Sequence, residues 1–341
     1  MPDPLLGGPF GRLRDAEDAA SHRAAAQADP GAYHGRVAGS ELHWFDEEGG
    51  AWVRRDPETG TWSGFDAGTG EPIEGARPQE WTPWEAAFDD SDAPFYRWFA
   101  GGRTNACFNE VDRHLLAGDG GRAAFIFEGD RWDPSKNDGR GGPVSQVEVT
   151  WRRLFVETLV RAELLAGLGL KAGDRIAFNL PNILEQIWFT EAAKRLGIIY
   201  TPVFGGFSAK TLSDRIHDAG ARVVVTADGG YRNAEVVPYK EQFTDQALDN
   251  FVPLGTALAT LDEVLAAELD AGPAEAVGRR VAEALSGEIT VERSDVMREL
   301  GRVLADDRSL DPAVAAVLRT RVARALAEAG HIVDRVVVVK Y

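Results

Sequence analysis

The chain has 341 residues, 44% of them hydrophobic, enough to bury a substantial core and, at roughly 100–200 residues per domain, to form more than one structural unit. Its 37 Lys and Arg face 54 Asp and Glu, a formal charge of -17 that opposes attraction to phosphate backbones, so nucleic acid is not expected as a partner. The opening MPDPLLGGPFGRLRDAED has no signal-peptide core and no later window approaches the roughly 20 apolar residues of a membrane span, so no membrane partner and a cytoplasmic location are expected.

Cys107 is the single cysteine, which excludes an internal disulfide or a multi-thiolate metal site and predicts a small buried apolar side chain. His22, His34, His43, His114, His217 and His331 fall in no HxxxH or HxH spacing, so no metal site is expected. The first helical composition covers 15–27 and is expected to end at Pro30. The stretch HWFDEEGGAWVRRDPETGTWSGFDAGTG then alternates aromatic residues with Gly, Asp and Pro, the pattern of short hairpins and loops. Its tryptophans, Trp44, Trp52 and Trp62, with Trp81 and Trp84 beyond, form either a carbohydrate or aromatic-ligand platform or the anchors of a loop-rich segment.

From 150 onward the pattern becomes α/β. Residues 150–168 read as an amphipathic helix stopped at Gly169, and 175–180 (RIAFNL) as a buried strand. Asn182, with Glu185 three residues on, predicts a capped helix that ends at Gly197. A strand at 198–204, a helix capped by Ser208 and stopped at Gly220, and a strand at 222–226 complete a βαβαβ unit, which implies parallel pairing with right-handed crossovers. Ligands of such sheets sit beyond the carboxyl ends of the strands, here LPN (180–182), VFGGFS (203–208) and TADGGYR (226–232).

The segment 241–330 is rich in Ala, Leu, Val, Glu and Arg, with helix-like runs at 257–269, 273–286, 293–305 and 311–329. Its acidic residues outnumber its basic ones, marking a solvated outer face. HIVDRVVVVKY (331–341) returns to a strand pattern, and a strand running to the last residue leads us to expect a longer natural chain. Four segments follow: 1–95, a helix and Trp-rich stretch; 96–240, the α/β core; 241–330, a helical insertion; and 331–341, a strand rejoining the core.

Two blocks carry a resemblance. In WFAGGRTNACFNEVDRH (98–114), Trp98, Gly101, Gly102, Asn105, Asn109, Asp112, Arg113 and His114 fall as in AMP-forming acyl-CoA synthetases of the acetyl- or propionyl-CoA synthetase type. Physically, the glycines permit a tight turn, the asparagines can cap backbone groups, and Asp112, Arg113 and His114 can form a local network, a structural role. LPNILEQIWFTEAAKRLGIIYTPVFGGFSAKTLSDRIHDAGARVVVTADGGYR resembles the same family in order and spacing, departing at Ile198, where the family usually has alanine.

The resemblance implies an adenylating-enzyme fold and an acid-thiol ligase that uses ATP, with Mg2+, and coenzyme A on a small carboxylate. It puts the adenine and 3′-phosphate end of coenzyme A against Phe204, Gly205, Gly206 and Arg232. Chemically, glycines admit close backbone approach, Phe204 can stack on adenine, and Arg232 offers a forked donor to phosphate. Read without the resemblance, Gly205 and Gly206 are a strand-to-helix turn, Phe204 is core and Arg232 is a surface residue. After Arg232 the family often continues with a small residue, Gly and a basic residue, whereas this chain has Asn233, Ala234 and Glu235. Glu235 would repel a nearby phosphate, so either coenzyme A is held differently, with Lys240 a candidate, or its affinity at this corner is reduced.

The sequence holds no Ser/Thr/Gly-rich phosphate loop with a lysine and no GxxxxGK[ST], so no catalytic residue is assigned and the segment alone is expected to be inactive. We expect the N-terminal part of a longer ligase, its remaining C-terminal part supplying the adenylation chemistry. The long Trp-rich segment and the insertion suggest the ligase portion of a multifunctional propionyl-CoA synthase. A noncatalytic scaffold that keeps the fold is the alternative. Gly167, Gly169 and Gly173 follow a helix and precede a strand, the reverse of a dinucleotide fingerprint, and Ser63, Ser145 and Ser208 lack a nucleophile elbow.

Overall fold

The computed structural model describes residues 15–307, 310–329 and 333–340; the opening 1–14, His331 and Tyr341 lie outside the described residues. The chain divides into two units, Met1–Arg122 and Ala123–Tyr341.

In the first unit the Asp15 carboxylate accepts the Asp18 N–H at 2.8 Å and starts helix α1 (Ala16–Ala28). Pro30 does not end the helical region: it opens a second helix, α2 (Pro30–Glu41), capped by Asp29 on the Ala32 N–H at 2.8 Å. The physical reason is that proline's missing N–H costs nothing in a first turn, where that donor has no helical partner.

Four strands follow as an antiparallel meander, β1 (Trp44–Asp46), β2 (Ala51–Arg55), β3 (Trp62–Asp66) and β4 (Pro72–Arg77). Each hairpin turn opens on an aspartate that accepts turn N–H groups: Asp46 from Gly49, Asp56 from Glu58 and Thr59, Asp66 from Gly68 and Thr69. The tryptophans are core anchors. Trp44 and Trp62 are buried, Trp44 meets Trp84 edge-on at 4.9 Å, Trp62 meets Trp81 at 5.3 Å, and Trp52 stacks on Phe108 at 4.5 Å. The rings pack on one another and on Phe108, which favours the anchor reading over the ligand platform.

The hairpin β5 (Ala86–Asp89) and β6 (Arg97–Ala100) leads to a π-helical turn at Phe108–Asp112 and the short helix α3 (Arg113–Leu116). Both asparagines of the 98–114 motif bond backbone. Asn105 accepts the Phe108 N–H at 3.0 Å, and buried Asn109 braces the start of β1 by accepting the His43 N–H at 2.8 Å and donating to the His43 carbonyl at 3.0 Å. Arg113 donates to the Glu41 carbonyl at 2.7 Å, and Cys107 is fully buried.

The second unit opens with an antiparallel pair, β7 (Ala123–Glu128) with a strand at Gln146–Thr150, enclosing β8 (Trp132–Asp133), the turn α4 (Lys136–Gly139) and β9 (Gly142–Pro143); the returning strand is β10. Thr150 accepts the Arg153 N–H at 3.2 Å and starts α5 (Trp151–Gly167). Then come β11 (Arg175–Asn179), α6 (Leu184–Leu196), β12 (Ile199–Pro202), α7 (Ala209–Ala219) and β13 (Val223–Ala227). Ser208 caps α7 on the Thr211 N–H, and Gly197 and Gly220 close α6 and α7 in the left-handed conformation. Asn182 does not cap α6: the N-cap is Ile183, extended and buried, because its packing keeps the chain strand-like one residue past the asparagine.

After the hairpin β14 (Gly230–Arg232) and β15 (Glu235–Val237), a π-helical turn (Lys240–Asp245) and α8 (Gln246–Asp249) lead to β16 (Phe251–Pro253). Four helices follow, α9 (Leu254–Glu268), α10 (Ala271–Ala284), α11 (Arg293–Asp306) and α12 (Pro312–Glu328), with β17 (Thr290–Glu292) between α10 and α11 pairing β16. They enclose their own core around Leu261, Leu265, Val281, Leu300, Leu318 and Leu326. Asp214 of α7 ties that core to the α/β body by accepting the N–H and hydroxyl of Thr290, while Lys210 bridges Asp214 and Glu288.

The final strand, β18 (Arg335–Val339), completes a four-stranded sheet in the order β12-β11-β13-β18, every neighbour parallel. The fold is therefore α/β with a parallel-sheet βαβ core, as the alternation of elements predicts. Among the described residues no helix is long and apolar enough to cross a membrane.

His43 supplies a test of the first unit. It is 7% exposed, and burial first, then the charges of Arg54 and Arg113, lowers its pKa from 6.5 to about 4. Between those values the unfolded chain binds a proton that the native ring refuses, so stability is full above about pH 6.5 and falls as pH drops toward 4, by up to about 3 kcal/mol. Urea denaturation followed by tryptophan fluorescence at pH 7 and pH 4.5 should register this loss, and His43→Phe should reduce it relative to the unmodified chain.

Candidate functional site

Because β11 and its neighbours run parallel, their carboxyl-end loops leave the sheet on the same side. There Pro181 and Asn182 after β11, Val203–Gly206 after β12, and the hairpin at Tyr231–Asn233 after β13 line one cleft of about 450 Å³. Beneath it lies a buried polar chain: Asn179 of β11 donates to Thr244 at 3.0 Å, and Thr244 donates to Thr226 of β13 at 2.8 Å. Fully satisfied and out of water, these bonds fix the π-helical turn against the ends of two strands.

All four residues singled out in the sequence line this cleft: Phe204, Gly205, Gly206 and Arg232. Phe204 is 68% exposed and meets Phe207 edge-on at 5.7 Å, so its ring is a surface feature of the cleft and not core. The glycines are there for close approach. A Cβ on Gly205 would lie 2.6 Å from the Tyr239 ring and hydroxyl, and one on Gly206 would lie 2.5 Å from the Phe204 ring and 3.1 Å from an Arg232 guanidinium nitrogen. Gly206 is thus the floor between an aromatic ring and an arginine fork.

Arg232 is exposed, and among the described residues no carboxylate lies within ion-pairing distance of it. Lys240 is not a second cation for the cleft: its ammonium bonds both oxygens of Asp245, at 2.6 and 2.7 Å. The turn between β14 and β15 consists of Asn233 and Ala234, both at positive φ, and its register places Glu235 directly across from Arg232, on the same face of the hairpin.

Three lining residues were missed by sequence reasoning. Tyr239, buried under Gly205, has its hydroxyl pKa raised by burial, with Arg232 opposing. Glu128 and Asp130 enter from the end of β7. Asp130 accepts the Ala234 N–H at 2.6 Å, and Glu128 accepts the Gln146 amide at 2.9 Å. Only Tyr239, a lone aromatic in VVPYKEQ, offered a hint. Among the described residues no group of three or more His, Cys, Asp or Glu could hold a metal ion.

What the cleft offers is an exposed aromatic face, a glycine floor that a side chain would fill, and one forked cation, a set that accepts a planar ring joined to a phosphate. The family model of AMP-binding enzymes matches residues 120–298, and the chain belongs to that family. A second model, the acetyl-coenzyme A synthetase N-terminus, matches residues 77–109. The chain is 41% identical over 169 residues to an acetyl-coenzyme A synthetase of Mycolicibacterium smegmatis, covering 49% of this chain and 17% of that protein. Similar proteins of the same name from Pasteurella multocida (39% over 168 residues) and Thiobacillus denitrificans (42% over 167) are each covered for 23% of their length, against 49% of this chain. The chain thus spans a quarter or less of the length of the curated relatives it matches.

Gly205→Ala tests the close approach. With Tyr239 buried and unable to retreat, the added methyl should cost about 1–3 kcal/mol in urea denaturation. In a Tyr239→Leu background that cost should shrink; an unchanged cost would mean that Tyr239 is not what Gly205 accommodates.

Proposed function

We propose that this segment is part of an AMP-forming short-chain acyl-CoA synthetase, an acid-thiol ligase that converts a carboxylate, ATP and coenzyme A to acyl-CoA, AMP and pyrophosphate through an acyl adenylate. Acetate or propionate is the acid, with Mg2+ accompanying ATP. The observation that carries this reading is the convergence of the LPN, VFGGF and YRN segments on one cleft, within a chain about 40% identical to acetyl-coenzyme A synthetases over half its length.

In this reading the cleft takes the adenosine end of coenzyme A. Phe204 stacks on the adenine, the Gly205 and Gly206 backbone lets the nucleotide lie close to the loop, and Arg232 donates to a phosphate. The glycine floor supports the fit, because any side chain at Gly206 would occupy the space between ring and guanidinium. Coenzyme A, when bound, supplies the thiol that receives the acyl group. These residues bind and orient the cofactor; none is assigned to proton transfer.

We also propose that the adenylation centre lies in the C-terminal part of the same polypeptide, in line with the small share of the relatives that this chain covers. The domain division 1–95, 96–240, 241–330 and 331–341, a cytoplasmic location, and membership of a multifunctional propionyl-CoA synthase belong to the same proposal. The four-helix core between β16 and β18 is the feature that favours the last point.

The test is carboxylate-dependent ATP–pyrophosphate exchange, measured with the 341-residue chain and with the complete reading frame. Exchange in the longer protein alone is expected. None in either would favour a noncatalytic scaffold. In binding titrations Arg232→Ala should weaken coenzyme A by about tenfold, the loss of one charge-assisted bond; undiminished affinity would remove Arg232 from the site.

A further inference from the structure

Among the described residues the lining of the cleft carries three charged side chains, the guanidinium of Arg232 and the carboxylates of Glu128 and Asp130. Glu235 is not part of the lining, but it stands across the hairpin from Arg232 and offsets that cation further. Lys240 restores nothing, because Asp245 holds it. A ribose 3′-phosphate, close to a dianion at neutral pH, needs more positive charge than Arg232 alone supplies.

A second guanidinium stands beside the lining. The guanidinium carbon of Arg131 lies 5.5 Å from the centroid of the Tyr231 ring, and Tyr231 is the lining residue that directly precedes Arg232. A cation–π contact holds a charge in place without neutralising it. Among the described residues no carboxylate lies within ion-pairing distance of Arg131, so its forked donors remain for a ligand. The backbone beneath it is fixed as well. Gly129 donates to the Ser145 carbonyl at 2.9 Å, Asp130 accepts the Ala234 N–H at 2.6 Å, and Val144 donates to the Arg131 carbonyl at 2.7 Å. Residues 129–131 are therefore tied both to the base of the β8–β9 excursion and to the hairpin that bears Arg232, and two separate segments bring a guanidinium to that hairpin.

We infer that Arg131 is a second phosphate-binding residue of this cleft, and that Arg131 and Arg232 together hold the ribose 3′-phosphate of coenzyme A. The inference rests on the reading that the cleft takes the adenosine end of coenzyme A. The 3′-phosphate is joined directly to the ribose that bears the adenine, so a ring seated on Phe204 beside Gly206 keeps that phosphate with the adenosine, whereas the 5′-diphosphate continues into the arm that leads away from it. Arg131 is thus a specificity-determining residue: it supplies the charge that the neighbouring carboxylates take away, and it tells the 3′-phosphorylated cofactor from a nucleotide with a free 3′-hydroxyl.

Calorimetric titration of the 341-residue chain at low salt with coenzyme A and with 3′-dephospho-coenzyme A tests this. Coenzyme A should bind about tenfold tighter than the dephospho form, with the difference shrinking as salt is added. Arg131→Ala, at an exposed position, should weaken coenzyme A by about tenfold and leave the dephospho form within about twofold. Arg131→Lys, which keeps the charge and loses the fork, should recover part of that loss. Equal binding of the two forms by the unmodified chain, an Arg131→Ala variant that leaves coenzyme A unweakened or weakens both ligands alike, or a lysine variant as weak as the alanine one would overturn the inference while leaving the cofactor reading intact. Binding of neither form would overturn the cofactor reading, and this inference with it.

Discussion

Strand β11 is the constraint on which the second unit depends. Ile176, Ala177 and Phe178 are buried, and the strand is bonded on both edges, to β12 and to β13, with all three running the same way. A parallel pair cannot be closed by a tight turn, so each connection must cross the sheet as a helix and return at the same end. That requirement alone brings LPN, VFGGF and TADGGYR to one side. The buried Asn179–Thr244–Thr226 chain then fixes how far apart the ends stand, since breaking one bond would leave a polar group stranded in the core.

The cleft depends on backbone, not on side-chain bulk. Tyr239 fills the space under Gly205 of the loop between β12 and α7 from below and leaves no room there for a Cβ, while a Cβ at Gly206 would press on the exposed Phe204 ring and approach the Arg232 guanidinium. That loop is also the start of α7, whose Lys210 and Asp214 hold Glu288 and Thr290 of the helical region. The helices are thus attached to the one crossover that carries the glycine floor. The buried contacts within the helices' own core hold them together independently of that attachment.

Much of the second unit was legible because its signals are local. Thr150 and Ser208 sit where a side-chain oxygen meets the third N–H of a helix, Gly197 and Gly220 stand where only a left-handed residue ends one, and the valine-rich runs are too short for anything but strands. The failures came where one residue type serves two purposes. Pro30 can stop a helix or open one, and the choice fell to Asp29 one position earlier. Asn182 has the chemistry of a cap, but the burial of Ile183 decided where α6 begins. At the cleft, contiguous residues such as Phe204, Gly205 and Gly206 were readable, while Glu128 and Asp130 arrive from a strand pair that shares no local pattern with them.

The β14–β15 hairpin was hidden for a sharper reason. A two-residue turn of this kind demands positive φ at both positions, and Asn-Gly is its usual mark. Here the second residue is Ala234, at φ +62, a conformation that costs an alanine on the order of 1 kcal/mol. The Asp130 carboxylate, accepting the Ala234 N–H at 2.6 Å, supplies a charge-assisted bond large enough to offset that strain. Asp130 therefore has two roles: it adds negative charge to the cleft and it holds the turn that sets Arg232 opposite Glu235. Neutralising it would change charge and geometry together. Glu235 has no such bond to the turn, but it stands directly across the hairpin from Arg232, so a change of its charge acts on the guanidinium that faces it.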